Sequence, residues 1–398
     1  MGTNRTVLAI LLAALAMLGP FSIDTYMPSF PEIGRTFGAS AFELQFTISA
    51  FLATFSVMSL FHGALADSFG RRPVILFNLG LFVVASAGCA LAAAFSQLLW
   101  FRALQGLAGG AGLIVGRAMI RDSFAGDEAQ RMMSTVTMIF GVAPAIAPII
   151  GGWLQAWLGW RSVFAFLTAY AALLLVFCWW RLPETLPDGD RQPLVLRTLF
   201  ANYASVFGSL RFVLLSSAIA FNFCAFFLYI AAAPVVIYQW LGLGESEFAW
   251  LFIPGISGIV VGAFISGRVA GRLSRRQTLR LGFAVMFAAL ACNIAYHTLA
   301  APALPWTVLC VLFYTTAMAI AMPTLTLLAL DLFPHNRGMA ASVQGFQHSL
   351  FTAIAAVALV PHVADSALAM ALTAAALLGC GAVCAACHAH LEPEKSHA

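Results

Sequence analysis

Apolar stretches of about 20 residues, separated by short polar connections, recur from one end of the chain to the other. Twelve can be delimited: residues 7–29, 43–65, 74–95, 98–119, 132–156, 162–181, 212–238, 248–268, 278–299, 304–330, 338–361 and 367–389. At a rise of 1.5 Å per residue, each is long enough to cross a hydrocarbon core of about 30 Å as a helix. Barrel strands would be about half that length and would alternate apolar with polar positions. No such alternation is present, so the pattern predicts an all-α polytopic membrane protein with twelve transmembrane helices. The one sizeable interruption contains Pro183, Pro187 and Pro193 with Glu184, Asp188, Asp190 and Arg191, and it reads as a linker. Beyond Pro193, the residues Leu196, Leu199, Phe200, Tyr203, Phe207 and Leu210 fall on one helical face, predicting an amphipathic helix on the inner membrane surface. The expected organisation is a six-helix half over residues 1–182, a cytoplasmic linker over 183–210, and a second six-helix half with a short tail over 211–398.

Composition narrows the class further. Of 398 residues, 62% are hydrophobic and 9% charged, with a mean hydropathy of +0.92. A soluble domain typically carries about 25% charged residues, so a soluble enzyme and a disordered chain are both excluded. Nineteen of the twenty basic residues are arginine, and Lys395 is the only lysine. Placing both termini in the cytoplasm puts 17 basic residues inside and only Arg35 and Arg161 outside, while Arg102 lies within a span. That asymmetry follows the positive-inside rule. The net charge of +4 therefore expresses topology and implies no nucleic acid. Arg5, the apolar run from Val7 and Ala14-Leu15-Ala16 have the outline of a signal peptide. The apolar run continues past that point, and removing it would leave eleven spans, so it reads as the first span. The eight cysteines lie in spans or at their ends. One cluster, Cys384-Ala385-Ala386-Cys387-His388, has the C-x-x-C-H spacing of haem attachment. It sits on the cytoplasmic side, where an ordinary helix end is the expectation, with a haem- or metal-binding membrane protein as the alternative class.

Two segments repeat. Gly63–Arg72 follows the second span and Gly267–Arg276 follows the eighth, 204 residues later, with glycine, alanine and the closing arginine pair in common. Parallel repeats of this kind are typical of transporters with a central alternating site. In the first copy Asp67 can pair with Arg71 or Arg72, and Asp122 ends the fourth span within reach, so a charged latch is one reading and a solvated loop the other. Gly271 stands in the second copy where Asp67 stands in the first, so a degenerate second gate is expected.

Ionisable side chains inside a bilayer are expensive. Away from span ends, the first half holds two, Asp24 and Arg102. Both sit about six residues from the outer ends of their helices, roughly 9 Å deep, which permits pairing. Desolvation favours the neutral form of a carboxyl and a neighbouring arginine the charged form, so Asp24 is a candidate proton carrier; a static structural pair is the alternative. The fifth span carries Gly141, Pro144, Pro148, Gly151 and Gly152, which predicts a bent helix that others approach closely. Gly106, Gly109, Gly110, Gly112 and Gly116 fail the G-x-G-x-x-G spacing and read as helix-packing positions. Tyr26, Gln105, Asn222, Tyr229, Asn293, Tyr314, Gln344, Gln347 and His348 lie mid-span and are candidates to line a cavity. With 34 phenylalanines in the chain, an aromatic cavity suits lipophilic ligands. No nucleotide, zinc or nucleophile motif appears, and no enzyme activity, metal or cofactor is expected.

Together these residues resemble the major facilitator superfamily along the whole chain. Gly63–Arg72 is similar to its signature after the second helix, and Leu98-x-x-x-Arg102-x-x-Gln105-Gly106 resembles its fourth-helix motif. Gly141–Gly152 resembles the fifth-helix motif of drug:proton antiporters, although Ala147 replaces a glycine. Ser22-Ile-Asp24-Thr-Tyr26-Met-Pro28-Ser-Phe-Pro31 is similar to the Bcr/CflA multidrug efflux subfamily. The resemblance implies a monomeric exporter in the bacterial inner membrane, taking small drug-like substrates and driven by the proton gradient. Asp24 and Arg102 would form the proton-coupling pair, with Asp67, Arg71, Arg72 and Asp122 as the gate. Tyr26, Gln105, Asn222, Tyr229, Gln344 and Gln347 are the expected substrate contacts. Transport of one specific metabolite, such as an amino acid or sugar, is the alternative function.

Overall fold

The computed structural model describes residues 5–124, 126–269, 272–334 and 336–391. Ala270 and Gly271 of the second repeat, and Lys395, lie outside the described residues. In chain order the α-helices are α1 (Arg5–Asp24), α2 (Phe30–Phe37), α3 (Ala41–Phe69), α4 (Arg71–Ala90), α5 (Phe95–Gly109), α6 (Ala111–Ser123), α7 (Gly126–Leu158) and α8 (Trp160–Arg181). They continue as α9 (Leu196–Phe207), α10 (Leu210–Ala231), α11 (Ala249–Val269), α12 (Arg275–Leu299), α13 (Trp306–Asp331), α14 (Arg337–Ala358), α15 (Val360–Val363) and α16 (Ala367–Leu391).

Among the described residues, eleven helices are long and apolar enough to cross a membrane. The remaining expected span, 338–361, does form a helix, the 22-residue α14. Gln344, Gln347 and His348 dilute its apolar character. The expected fourth span is built from two helices, and the expected first, 7–29, is α-helical only to Asp24, with a further helix, α2, following it. In the first, Pro28 removes the N–H that would bond the carbonyl of Asp24, four residues earlier, and Pro31 does the same for Met27. The helix therefore ends at Asp24, a 3-10 turn covers Met27–Ser29, and α2 follows. In the fourth, the break falls at the Gly109-Gly110 pair, a common cause of helix kinks. The fifth span, α7, runs unbroken for 33 residues with Pro144 and Pro148 inside it.

The chain divides into two compact units. One contains Met1–Val195 with Leu243–Phe252, and the other Leu196–Gly242 with Ile253–Ala398. The amphipathic helix thus belongs to the second unit, and a ten-residue piece from beyond α10 belongs to the first. That piece packs on α7, where a Cβ at Gly152 would overlap the carbonyl of Glu245. In the second unit, α10 is the most enclosed span and is packed by α13, α14 and α16. The amphipathic stripe ends sooner than expected. Gly208 stops α9 and Ser209 caps α10, its Oγ accepting from the Phe212 amide at 3.4 Å. Tyr203 and Val206 are buried, while Leu196, Phe200 and Phe207 stay exposed.

Candidate functional site

Asp24 terminates α1 and is 4% exposed. Among the described residues, its carboxyl has no hydrogen bond or ion pair. The hydroxyls around it point back into their own helix: Ser22 Oγ donates to the Leu18 carbonyl at 2.6 Å and Thr25 Oγ1 to the Phe21 carbonyl at 2.5 Å. A neighbouring helix closes directly over the break. A Cβ at Gly151 of α7 would overlap the Thr25 carbonyl, so only glycine permits this approach.

Arg102, on α5, is completely buried. It makes no ion pair with Asp24, although the two sit at matching depth in the sequence. Instead Nη1 donates to Gln105 Oε1 at 2.7 Å and Nε to the Thr47 carbonyl at 3.3 Å. Its guanidinium carbon lies 4.4 Å from the Tyr26 ring centroid and 4.7 Å from that of Phe51. Two aromatic faces and two oxygens thus replace a carboxylate as the surroundings of the charge. Nη2 is buried and unpartnered among the described residues. Tyr26, two residues beyond Asp24, also shares a hydrogen bond with Thr47 Oγ1 at 2.7 Å, and Gln105 Nε2 donates to Ser86 Oγ at 2.8 Å. Tyr26 and Gln105, expected as substrate contacts, here hold Arg102.

At the arginine-rich end of the same unit, Arg71 bridges two carboxylates, Asp67 on one side and Asp122 Oδ2 at 3.1 Å on the other. Glu184, beyond the end of α8, completes this cluster. Its carboxylate accepts from the backbone amides of Arg71 and Arg72 at 3.0 and 3.1 Å. These are orphan N–H groups of the first turn of α4, so Glu184 is an acidic cap supplied from 113 and 112 residues away. Gly70 makes room for it with φ of +96°, and a Cβ there would crowd Glu184 Oε2. Thr185 Oγ1 donates to Asp122 Oδ2 at 3.0 Å, tying the linker to α6. Arg72 takes no part in the Asp67–Asp122 bridge and donates through Nη2 to the Trp179 carbonyl at 2.6 Å.

The second gate keeps only part of the first. Arg275 Nη2 lies 3.1 Å from Asp331 Oδ2, and Arg337 Nη2 lies 2.9 Å from Asp331 Oδ1. Arg275 occupies the repeat position of Arg71, and Asp331 ends α13 as Asp122 lies at the end of α6. With Gly271 at the repeat position of Asp67, this copy holds one acid where the first holds two. Sequence reading missed both Glu184 and Asp331. Asp331 is a lone acid at the end of a span, a signal that could have singled it out; Glu184 is one of three acids in the linker and carries no such mark.

In the second unit, the polar mid-span residues tie helices together. Asn293 Nδ2 donates to the Tyr229 hydroxyl at 2.5 Å, the Tyr314 hydroxyl to the Asn222 carbonyl at 2.8 Å, and Gln347 Nε2 to Ser217 Oγ at 2.6 Å. Gln344 Nε2 reaches Thr326 Oγ1 at 3.2 Å, and the His348 ring lies 4.4 Å from Phe223. The side-chain amide of Asn222 is buried and unpartnered among the described residues, packed on Gly381. A cavity of about 10 Å³ beside Tyr229, Asn293 and Tyr314 holds one water at most. All eight cysteines are free, and among the described residues no group of three or more metal-ligating side chains is arranged to hold an ion. Cys384, Cys387 and His388 lie on the last turns of α16.

A bundle of membrane-crossing helices in two units, with an arginine–aspartate latch in each and a buried unpaired acid at a helix break, fits a multi-pass membrane transporter. Residues 12–356 match the Major Facilitator Superfamily, and the chain belongs to it. It is 32% identical over 348 residues to the uncharacterized MFS-type transporter YdgK of Bacillus subtilis, covering 86% of both chains. It is 30% identical to the bicyclomycin resistance protein homolog of Haemophilus influenzae, covering 71% of both. With multidrug resistance protein D of Escherichia coli it shares 28% identity over 67% of both. Its fold is similar to that of the D-xylose–proton symporter, with a TM-score of 0.75, 18% identity and 98% of both chains covered.

Proposed function

We propose that this protein exports small lipophilic or amphipathic compounds in exchange for protons, by alternating access across the bacterial inner membrane, with both termini in the cytoplasm. Relatives named for bicyclomycin and multidrug resistance support the substrate class. The observation that carries proton coupling is Asp24: buried, at a helix break, and without a bonding partner among the described residues. Burying an ionised carboxylate without a partner is expensive, so this arrangement suits the protonated acid. Loss of the proton leaves a charge that demands a counter-charge, and Arg102 rests on Tyr26, two residues beyond Asp24 in the chain. Ionisation at Asp24 would thus draw on the same tyrosine that holds the guanidinium, linking the proton to the shape of the first span. The Arg71 and Arg275 latches would hold one conformation and part in the other.

The test uses inverted vesicles with an imposed pH gradient and a fluorescent lipophilic cation. Asp24→Asn should bind the cation but lose gradient-driven accumulation. Undiminished pH-driven transport by that variant would remove Asp24 from the proton path. Gradient-driven uptake of a sugar or amino acid, with no drug transport by the unmodified protein, would replace the efflux reading.

A further inference from the structure

Outside the transport site, a groove of about 570 Å³ runs between α4 and α8 near the latch end of the first unit. Leu76 and Leu175 are half-buried at its base. Phe77, Val176, Trp179 and Trp180 form its walls and are 71%, 48%, 62% and 72% exposed. The lining is aliphatic and aromatic with no charged side chain, so the groove suits a hydrocarbon chain. One end is different. Arg72 stands there with its guanidinium carbon 5.9 Å from the Trp179 ring centroid, anchored through Nη2 to the Trp179 carbonyl.

The latch leaves this cation without a counter-ion. Asp67 and Asp122 are engaged by Arg71, and Glu184 accepts from backbone amides. Among the described residues, Arg72 makes no ion pair. Arg181 adds a second positive charge at the same helix end, next to Trp180. We infer that the groove binds one anionic glycerophospholipid, its acyl chain against Leu76, Phe77 and Trp180 and its phosphodiester at Arg72. An apolar channel with a cation at one end matches an amphiphile charged at one end. A soluble anion would use the arginine but not the groove, and a partner helix would cover the groove but leave the arginine uncompensated. Basic residues between spans on the cytoplasmic side recognise such headgroups, and tryptophans favour that depth. Because the Arg72 backbone is also capped by Glu184, the lipid would sit directly on the latch and couple its strength to the charge of the surrounding leaflet.

The test counts bound lipid by native mass spectrometry of the full-length protein, with phosphatidylglycerol or phosphatidylcholine of identical chains added to detergent. One phosphatidylglycerol should be retained in preference to phosphatidylcholine. Arg72→Gln should weaken that retention about fivefold, the effect of one basic group near an anionic surface. Arg72→Lys should keep most of it. Leu76→Trp, which fills the base and leaves the charge, should remove it, and free glycerol phosphate should not compete. Equal retention of the two lipids by the unmodified protein would overturn the assignment. So would wild-type retention in both Arg72→Gln and Leu76→Trp, or displacement by glycerol phosphate, which would mark a simple anion site. Size-exclusion profiles check that each variant is folded. The readout needs no transported substrate, so it stands or falls apart from the export reading.

Discussion

Two glycines of one helix make a controlled comparison. Gly151 and Gly141 both lie inside α7, but a methyl at Gly141 meets nothing within 4 Å, whereas one at Gly151 overlaps the Thr25 carbonyl oxygen and carbon. In a helix interior, alanine is favoured over glycine by roughly 0.8–1 kcal/mol. Gly141→Ala should therefore leave the protein as stable as before or more so. At Gly151 the same gain is opposed by overpacking, which costs roughly 1–3 kcal/mol in a well-packed interior. The blocking atoms belong to backbone at a helix break and cannot swing aside like a side chain. Relief requires α7 and α1 to separate beside Asp24. The two variants should thus differ by roughly 1–3 kcal/mol, a factor of about five to more than a hundred in equilibrium terms. Thermal unfolding in one detergent, read side by side, measures the difference. Dye efflux at a temperature where both are folded should be near normal for Gly141→Ala and strongly reduced for Gly151→Ala. Indistinguishable melting and efflux in the two variants would refute the claim that α7 bears on the Asp24 break through Gly151.

Arg102→Lys keeps the charge but loses the planar group that rests on Tyr26 and Phe51 and donates to Gln105; efflux should fall nearly as far as for Arg102→Ala, and near-normal efflux would show that charge alone matters. Glu184→Gln removes the charge from the start of α4 at a cost of roughly 0.3–1 kcal/mol, and hydrogen exchange at the Arg71 and Arg72 amides should accelerate while α8 is unchanged. A double-mutant cycle between Asp331 and Arg275 should give a coupling of about 0.2–1 kcal/mol in thermal stability, since Arg275 is 58% and Asp331 36% exposed; zero coupling to both Arg275 and Arg337 would dismiss the second latch.

Local features were the most readable from sequence. Hydrophobic run length located the eleven helices that are long and apolar enough to cross a membrane among the described residues, and Pro28, Pro31 and the Gly109-Gly110 pair sit where the first and fourth of them break. The Asp67–Arg71–Asp122 cluster followed from the position of each residue at a span end, and the structure joins all three. Matching depth suggested that Asp24 and Arg102 could meet, but depth fixes height and leaves azimuth around the helix open. In the structure Tyr26, and not Asp24, takes the guanidinium face. Glu184 was read as linker punctuation because its partners lie more than a hundred residues upstream, and no periodicity encodes such a contact. Asp331 escaped for a related reason: the repeat was compared only over its ten residues, whereas the counterpart of Asp122 lies at the end of a later helix.

The assignment of Leu243–Phe252 to the first unit bears on how the chain is made. A ribosome that has delivered residues 1–195 has not yet synthesised the piece that covers Gly152, so α7 must wait for another whole span to insert before that surface is closed. Cutting the gene within the linker would therefore yield a leading fragment with an unfinished helix surface, recoverable only when the trailing fragment is produced in the same cell.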